Sequence, residues 1–244
     1  MLEVKHLRKQ FGGIRAVDDC SFSIRVGALT ALIGPNGAGK TTVVNIISGL
    51  ERPDEGAVSF FADDITTLTA DQRAKRGIVR TFQQVRLFRN LSVRDNLALA
   101  VLDGDDFWWK QFTHPATVSD DVLTHALERV GLAIALDALP TALSFGQRKL
   151  LELARALLRP HKLMLLDEPV AGVTPVLRRQ IAEILEQLRM EGETILFIEH
   201  DMDFVMRIAD EVIVMEEGRV LTKGTPDEVR RDPAVLEAYL GEQV

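Results

Sequence analysis

The chain of 244 residues holds a single cysteine, Cys20. One thiol cannot form an internal disulfide or a cysteine-based zinc cluster, so the fold must stand on its core. Trp and Tyr are scarce as well, with two and one against eleven Phe. No apolar run approaches the roughly 20 residues of a membrane-spanning helix. The opening "MLEVKHLRKQF" lacks the apolar stretch of a signal peptide. A soluble chain that meets a membrane only through partners is expected. An excess of positive charge is also missing. The formal net charge is −7, which argues against nucleic acid or anionic lipid as a partner. Any anion site must then be built locally, from backbone amides and a few cations.

What is present suits a sizeable core. Apolar residues make up 46% of the chain and charged residues 27%, as in ordinary globular proteins. The length fits one large domain, or a core with a smaller lobe. "ALTALIG" (residues 28–34) reads as a buried strand before a glycine-rich turn. "KLMLLDEP" begins with another buried strand and "ETILFIEHD" holds a third. Between these two, Ile181, Ile184, Leu185 and Leu188 recur at helical spacing. Strand, helix, strand at that spacing predicts a parallel sheet with right-handed crossovers. The first sixty residues differ: "LEVKHLRKQF", "SFSIRVG" and "GAVSFFA" predict a small antiparallel sheet. "EVIVMEEGRVLTKG" reads as a hairpin turning at Glu216, Glu217 and Gly218. Thr225 with Glu228 three residues on, and Pro226 between, is a capping box that opens the last helix.

The expected fold is therefore α/β. A mixed, mostly parallel core sheet is joined to an N-terminal antiparallel subdomain and an inserted helical lobe. Residues 1–90 and 159–244 are assigned to the core and 91–158 to the lobe, within a single domain spanning 1–244. Inside the lobe, residues 103–121 lack periodicity and carry Phe107, Trp108, Trp109 and Phe112. These rings either pack back on the lobe or face a partner.

"GPNGAGKTT" comprises Gly34, Pro35, Asn36, Gly37, Ala38, Gly39, Lys40, Thr41 and Thr42. It fits G-x-x-x-x-G-K-[ST] in full and has the required strand before it and helical pattern after it. Its glycines let the backbone wrap closely, so successive N–H groups point at phosphate oxygens. The following helix N-terminus adds its positive dipole end. Lys40 supplies a compact cation, and the Thr41 hydroxyl is placed to ligate Mg²⁺. "LMLLDEP" delivers Asp167 at the end of an apolar strand, where it can hold Mg²⁺ through water. Glu168, one residue later, can polarise a water toward the γ-phosphate of ATP.

With these two motifs in order, the chain resembles the ATP-binding subunit of an ABC transporter along nearly its whole length. "GPNGAGKTT" is similar to the family's Walker A, and "LMLLDEP" to its Walker B with the catalytic glutamate at Glu168. The resemblance implies further roles. Gln83 in "TFQQ" would sense Mg²⁺ and water near the coupling surface. His200 in "LFIEHD" would touch the γ-phosphate. The Phe11 ring in "KQFGG" would stack on adenine. Ser144, Phe145, Gly146 and Gln147 stand where the family carries its signature, usually LSGGQ.

It also implies partners. A second ATP-binding subunit, the same chain or a related one, completes each nucleotide site with its signature. Transmembrane permease subunits hold the pair peripherally on the cytoplasmic side of the cell membrane, and a periplasmic or extracellular binding protein acts at one remove. "GIVRTFQQVRLFRNLSVRDNLALA", "EPVAGVTP" and "GTPDEVRRDPAVLEAYLGE" resemble the ATPases of branched-chain amino acid importers. Importers of urea, short-chain amides or other amino acids share much of this pattern. From other classes, a soluble ABC ATPase of translation or DNA repair, or a non-hydrolysing regulatory module, stands as the alternative. The single acidic cassette weighs against the first. The intact Lys40, Asp167, Glu168 and His200 weigh against the second.

Two departures stand out. Thr174 replaces the family's Asp after Walker B, which bears on the cross-dimer contact of that loop. Phe145 replaces a signature glycine. Ser144 and Gln147 form a capping box, so Phe145 falls at the first helical position and Gly146 at the second. Ordinary helical dihedrals there need no glycine at 145. The expectation is a Phe145 ring turned off the phosphate path and a stricter demand at Gly146.

Overall fold

The structure, a computed structural model, describes residues 1–81, 86–101 and 118–240. Strand β1 (Leu2–Phe11) turns through Gly12 and Gly13 into β2 (Ile14–Ile24). Then β3 (Leu29–Ile33), entirely buried, leads to helix α1 (Lys40–Ser48). Strands β4 (Glu55–Phe60) and β5 (Asp63–Asp64) precede α2 (Ala70–Lys75) and β6 (Ile78–Arg80). Helices α3 (Val93–Val101) and α4 (Asp120–Arg129), a 3₁₀ turn at Pro140–Ala142 and α5 (Phe145–Leu158) come next. The core resumes with β7 (Leu163–Asp167), α6 (Pro175–Met190), β8 (Ile195–Ile198) and α7 (Met202–Ile208). The hairpin of β9 (Glu211–Glu216) and β10 (Arg219–Gly224) is followed by α8 (Pro226–Arg231) and α9 (Pro233–Leu240). No described helix is long and apolar enough to cross a membrane.

Two sheets result. The first runs β2-β1-β4-β5, all antiparallel, and the second runs β10-β9-β3-β8-β7-β6. In the second, β9, β3, β8, β7 and β6 are parallel and β10 closes the edge antiparallel. The expected α/β fold, with a mostly parallel core and an antiparallel N-terminal sheet, is the one observed. One strand is longer than the sequence predicts: β2 begins at Ile14, not near Ser21. The charged stretch through Arg15, Asp18 and Asp19 still pairs with β1, because register shifts and a left-handed Asp19 (φ 64°) absorb the irregularity.

The core strands are apolar on both faces because both faces are covered. Successive side chains alternate. Leu29, Ala31 and Ile33 face the helices α3 to α7, whereas Leu32 faces α1 and the antiparallel sheet. Val43, Val44, Ile46 and Ile47 of α1 fill the space between the two sheets. Each such buried side chain contributes roughly 1.5–3 kcal/mol, so the helix behind the glycine-rich loop is firmly seated. Its C-terminus is closed by left-handed Gly49, whose N–H reaches the carbonyls of Asn45 and Ile46. The fully buried guanidinium of Arg73 caps the carbonyls of Ile46 and Ile47.

Candidate functional site

Strand order positions the site. β8 lies between β3 and β7, so the segments leaving their C-terminal ends are neighbours. These are the loop at residues 34–39, the turn at Glu168 and the segment at His200. The crevice beyond the carboxyl ends of parallel strands is where open α/β sheets bind ligands.

The glycine-rich loop is pressed between other backbones. Gly34 has φ 145°, and a Cβ there would lie 2.0 Å from the Met215 carbonyl oxygen of β9. Gly39 has φ 94°, and its Cβ would lie 2.2 Å from the Ala16 oxygen of β2. No other residue fits either place. Gly218, in the β9–β10 turn, donates its N–H to Ala38 O at 3.1 Å and accepts from Asp18 N–H at 2.9 Å. Loop, hairpin turn and β2 are thereby tied together. Pro35, Asn36 and Gly37 form the outer rim, with Asn36 and Gly37 exposed. Lys40 is buried and its Nζ donates to Gly34 O at 2.6 Å and Pro35 O at 2.8 Å, which holds the ammonium inside the loop. Gly39 provides no side-chain cap. The first N–H groups of α1, around Lys40, Thr41 and Thr42, thus face an anion position with a helix dipole behind them.

Phe11 stands at the tip of the β1–β2 hairpin, exposed, with Lys9 Nζ 5.2 Å from its ring centroid. Through the contact of Ala16 with Gly39, β2 brings that hairpin against the glycine-rich loop.

On the far side of β8, Asp167 ends β7. Its Oδ2 accepts from Arg80 Nη2 at 2.9 Å, and both side chains are buried. The same guanidinium donates through Nη1 to Asn45 Oδ1 (2.6 Å) and Ser48 Oγ (3.0 Å) of α1. Arg80 thus locks the Asp167 strand end to the helix behind the phosphate loop. Among the described residues no group of three His, Cys, Asp or Glu side chains converges on one metal position. Thr41 and Asp167 are hard oxygen donors that fit Mg²⁺, which binds through one or two carboxylates together with substrate phosphates.

Glu168 is not glycine yet has φ 50°. Such a left-handed residue costs of order 1–3 kcal/mol and persists only where its surroundings enforce it. Its N–H donates to Ile198 O at 3.0 Å. Its carboxylate Oε1 meets His200 Nε2 at 3.1 Å. Asp201 next to it caps α7, accepting from Phe204 N–H. Gln83 and the Trp108–Trp109 pair lie outside the described residues. Thr81, the last described residue before Gln83, is tied by its N–H to Leu165 O of β7.

Ser144 and Gln147 form the expected capping box on α5: Ser144 Oγ accepts from Gln147 N–H at 3.2 Å, and Gln147 Oε1 accepts from Ser144 N–H at 2.9 Å. This N-terminus packs on α6 and the loop before it. A Cβ at Gly172 would lie 3.4 Å from Phe145 Cε1, so the ring rests beside Gly172. At Gly146 the constraint has a source that sequence did not offer: a Cβ there would meet Leu177 Cδ2 at 2.3 Å. Thr174 serves as N-cap of α6, its Oγ1 accepting from Leu177 N–H at 3.3 Å.

Three charged residues beside the site escaped the sequence reading: Arg80, Lys149 and Glu199. Lys149 Nζ donates to the backbone oxygen of Glu168 at 2.7 Å. Burial pushes its pKa down, against the pull of Glu152, Glu199, Glu168 and Asp167. Burial pushes Glu199 up, against stabilising N–H groups of Val170, His200 and Asp201. The available signal was position: Arg80 lies three residues before Gln83, Lys149 two after Gln147, and Glu199 directly before His200.

Comparison with known proteins agrees with this geometry. The family model described as "ABC transporter" matches residues 17–171, and one described as "Branched-chain amino acid ATP-binding cassette transporter" matches residues 219–244. The chain is 38% identical to the high-affinity branched-chain amino acid transport ATP-binding protein LivG of Salmonella typhimurium, over 99% of this chain and 98% of that one. It is 36% identical to BraF of Pseudomonas aeruginosa, which carries the same description, over the same shares. Among solved structures, the ADP conformation of MJ1267, an ATP-binding cassette of an ABC transporter, superposes with TM-score 0.85 at 34% identity, covering 99% of this chain and 98% of that one. The dimeric post-hydrolysis state of the cassette MJ0796, bound to ADP and Pi, gives 0.79 at 25% identity, covering 93% and 99%. The chain therefore belongs to the ABC transporter family, as one of its ATP-binding cassettes.

Proposed function

We propose that this chain is the ATP-hydrolysing subunit that powers an importer of branched-chain amino acids. The observation that carries the hydrolytic reading is the convergence of the phosphate loop, Glu168 and His200 on adjacent strand ends. The cargo rests on relatives described as branched-chain amino acid transport proteins and on the match at residues 219–244.

The loop amides and Lys40 bind the phosphate chain, and Phe11 stacks on the adenine. Glu168 orients the attacking water and takes its proton, held in aim by His200. Thr41, Asp167 and Gln83 would hold Mg²⁺, which neutralises charge developing on the phosphoryl oxygens. Ser144 to Gln147 serve the nucleotide of a second cassette, where a capped helix N-terminus faces the γ-phosphate. Loss of that phosphate releases the pair, an order-and-release switch. Residues 91–158 move as a lobe and pull on permease subunits at the cytoplasmic side of the membrane. A binding protein outside delivers the cargo.

The test is reconstitution with branched-chain amino acid permease subunits and their binding protein. Leucine, isoleucine or valine should stimulate ATP hydrolysis severalfold. Stimulation by urea or short-chain amides instead would overturn the cargo. Failure to associate with any permease would move the chain to the soluble class.

A further inference from the structure

We propose that Lys149 and Glu199 are positioning residues for Glu168, two buried charges from separate elements that clamp the turn at residues 168–170. The proposal rests on the reading of Glu168 as the base.

The turn needs holding. Glu168 is left-handed, and a return to an ordinary backbone region would swing its side chain away from His200. Its N–H is fixed by Ile198 O, but that bond alone leaves the next peptide free to rotate. The Glu168 carbonyl is where rotation would show. It accepts from Lys149 Nζ at 2.7 Å and from Ala171 N–H at 3.2 Å. Two residues on, Val170 donates its N–H to Glu199 Oε1 at 2.8 Å. The other oxygen of Glu199 accepts from His200 N–H at 3.2 Å. Glu199 therefore grips both the turn that carries Glu168 and the residue whose ring meets its carboxylate.

Both clamp residues are costly where they stand. Lys149 is 6% exposed and Glu199 3%. An apolar residue at 149 would continue the buried face of α5, and a small polar one at 199 would suffice to end β8. Charges are retained in such places when their hydrogen bonds position something. Lys149 also arises from α5, two residues after Gln147, so the same bond ties that helix to the Glu168 turn. A displacement of about 1 Å at a reacting group is enough to cost roughly a hundredfold in rate.

The test is a kinetic split in the full chain, with single-turnover hydrolysis beside binding of a fluorescent ATP analogue. Lys149→Met should lower kcat tenfold or more while the analogue's Kd changes less than twofold. Lys149→Arg, which keeps a buried donor, should restore kcat to within threefold of wild type. In a Glu168→Gln background, Lys149→Met should cost less than a further twofold, because the group it positions is already gone. A kcat within twofold of wild type in Lys149→Met overturns the clamp, as does an undiminished loss in the Glu168→Gln background. Should Lys149→Met fail to fold, Glu199→Gln must show the same split with at least a threefold loss of kcat. An unchanged kcat there overturns the proposal. Turnover retained in Glu168→Gln alone would overturn the base assignment itself, and the clamp with it. Turnover lost in Glu168→Gln but kept in Lys149→Met overturns the clamp only.

Discussion

His200 Nε2 lies 3.1 Å from Glu168 Oε1, although the two residues leave different strands. β8 is parallel to β7 and paired from Met164–Ile195 to Asp167–Ile198, so the segments that follow end side by side. The imidazole therefore holds the carboxylate as well as facing the crevice. His200→Ala should lower turnover roughly tenfold to a hundredfold, the cost of a misaimed group. ATP affinity should be kept. Steady-state kinetics beside equilibrium binding measures both, and an equal loss in the two would mean that His200 acts through nucleotide binding.

Arg80 and Asp167 form a buried pair that also reaches Asn45 and Ser48. Removing one partner strands the other charge, so Arg80→Met should cost about 3–5 kcal/mol of stability. Urea denaturation checks this. A loss under about 1 kcal/mol would show that solvent reaches the pair and screens it.

At Gly146 the obstacle is Leu177 Cδ2, 2.3 Å from where a Cβ would stand. Gly146→Ala should destabilise by about 1–3 kcal/mol through overpacking. In a Leu177→Ala background the same change should cost under about 0.5 kcal/mol. Equal costs in both backgrounds would place the constraint elsewhere.

Cys20 is fully buried, and burial pushes its thiol up to about 12 from 9.0. The thiolate is the reactive form, so at pH 8 its fraction falls by about a thousandfold. A thiol reagent should label the native chain only as fast as it opens, and label it promptly in denaturant. Rapid labelling of the native state would contradict the packing of β2 on the core.

The motifs were legible because each is contiguous. The phosphate loop, the β7 end, the capping boxes at Ser144 and Thr225 and the turn at Glu217–Gly218 all occupy a few neighbouring residues, and their chemistry is local. The start of β2 is not legible because charged residues break its alternation, and only the pairing with β1 reveals the bulges that accommodate them. Arg80, Lys149 and Glu199 were missed for a related reason. Each bonds to a partner brought in by the sheet or by α5, and nothing beside it in sequence announces that partner. The stricter demand expected at Gly146 meets a packing constraint that lies far off in sequence, since the nearest neighbour of a Cβ there is Leu177 on α6.

The central claim is hydrolysis of ATP with Glu168 as the base, and its most direct test is the turnover of Glu168→Gln. A loss of at least about a hundredfold is expected, with ATP still bound and a closed pair of cassettes accumulating. Turnover within twofold of wild type would contradict it.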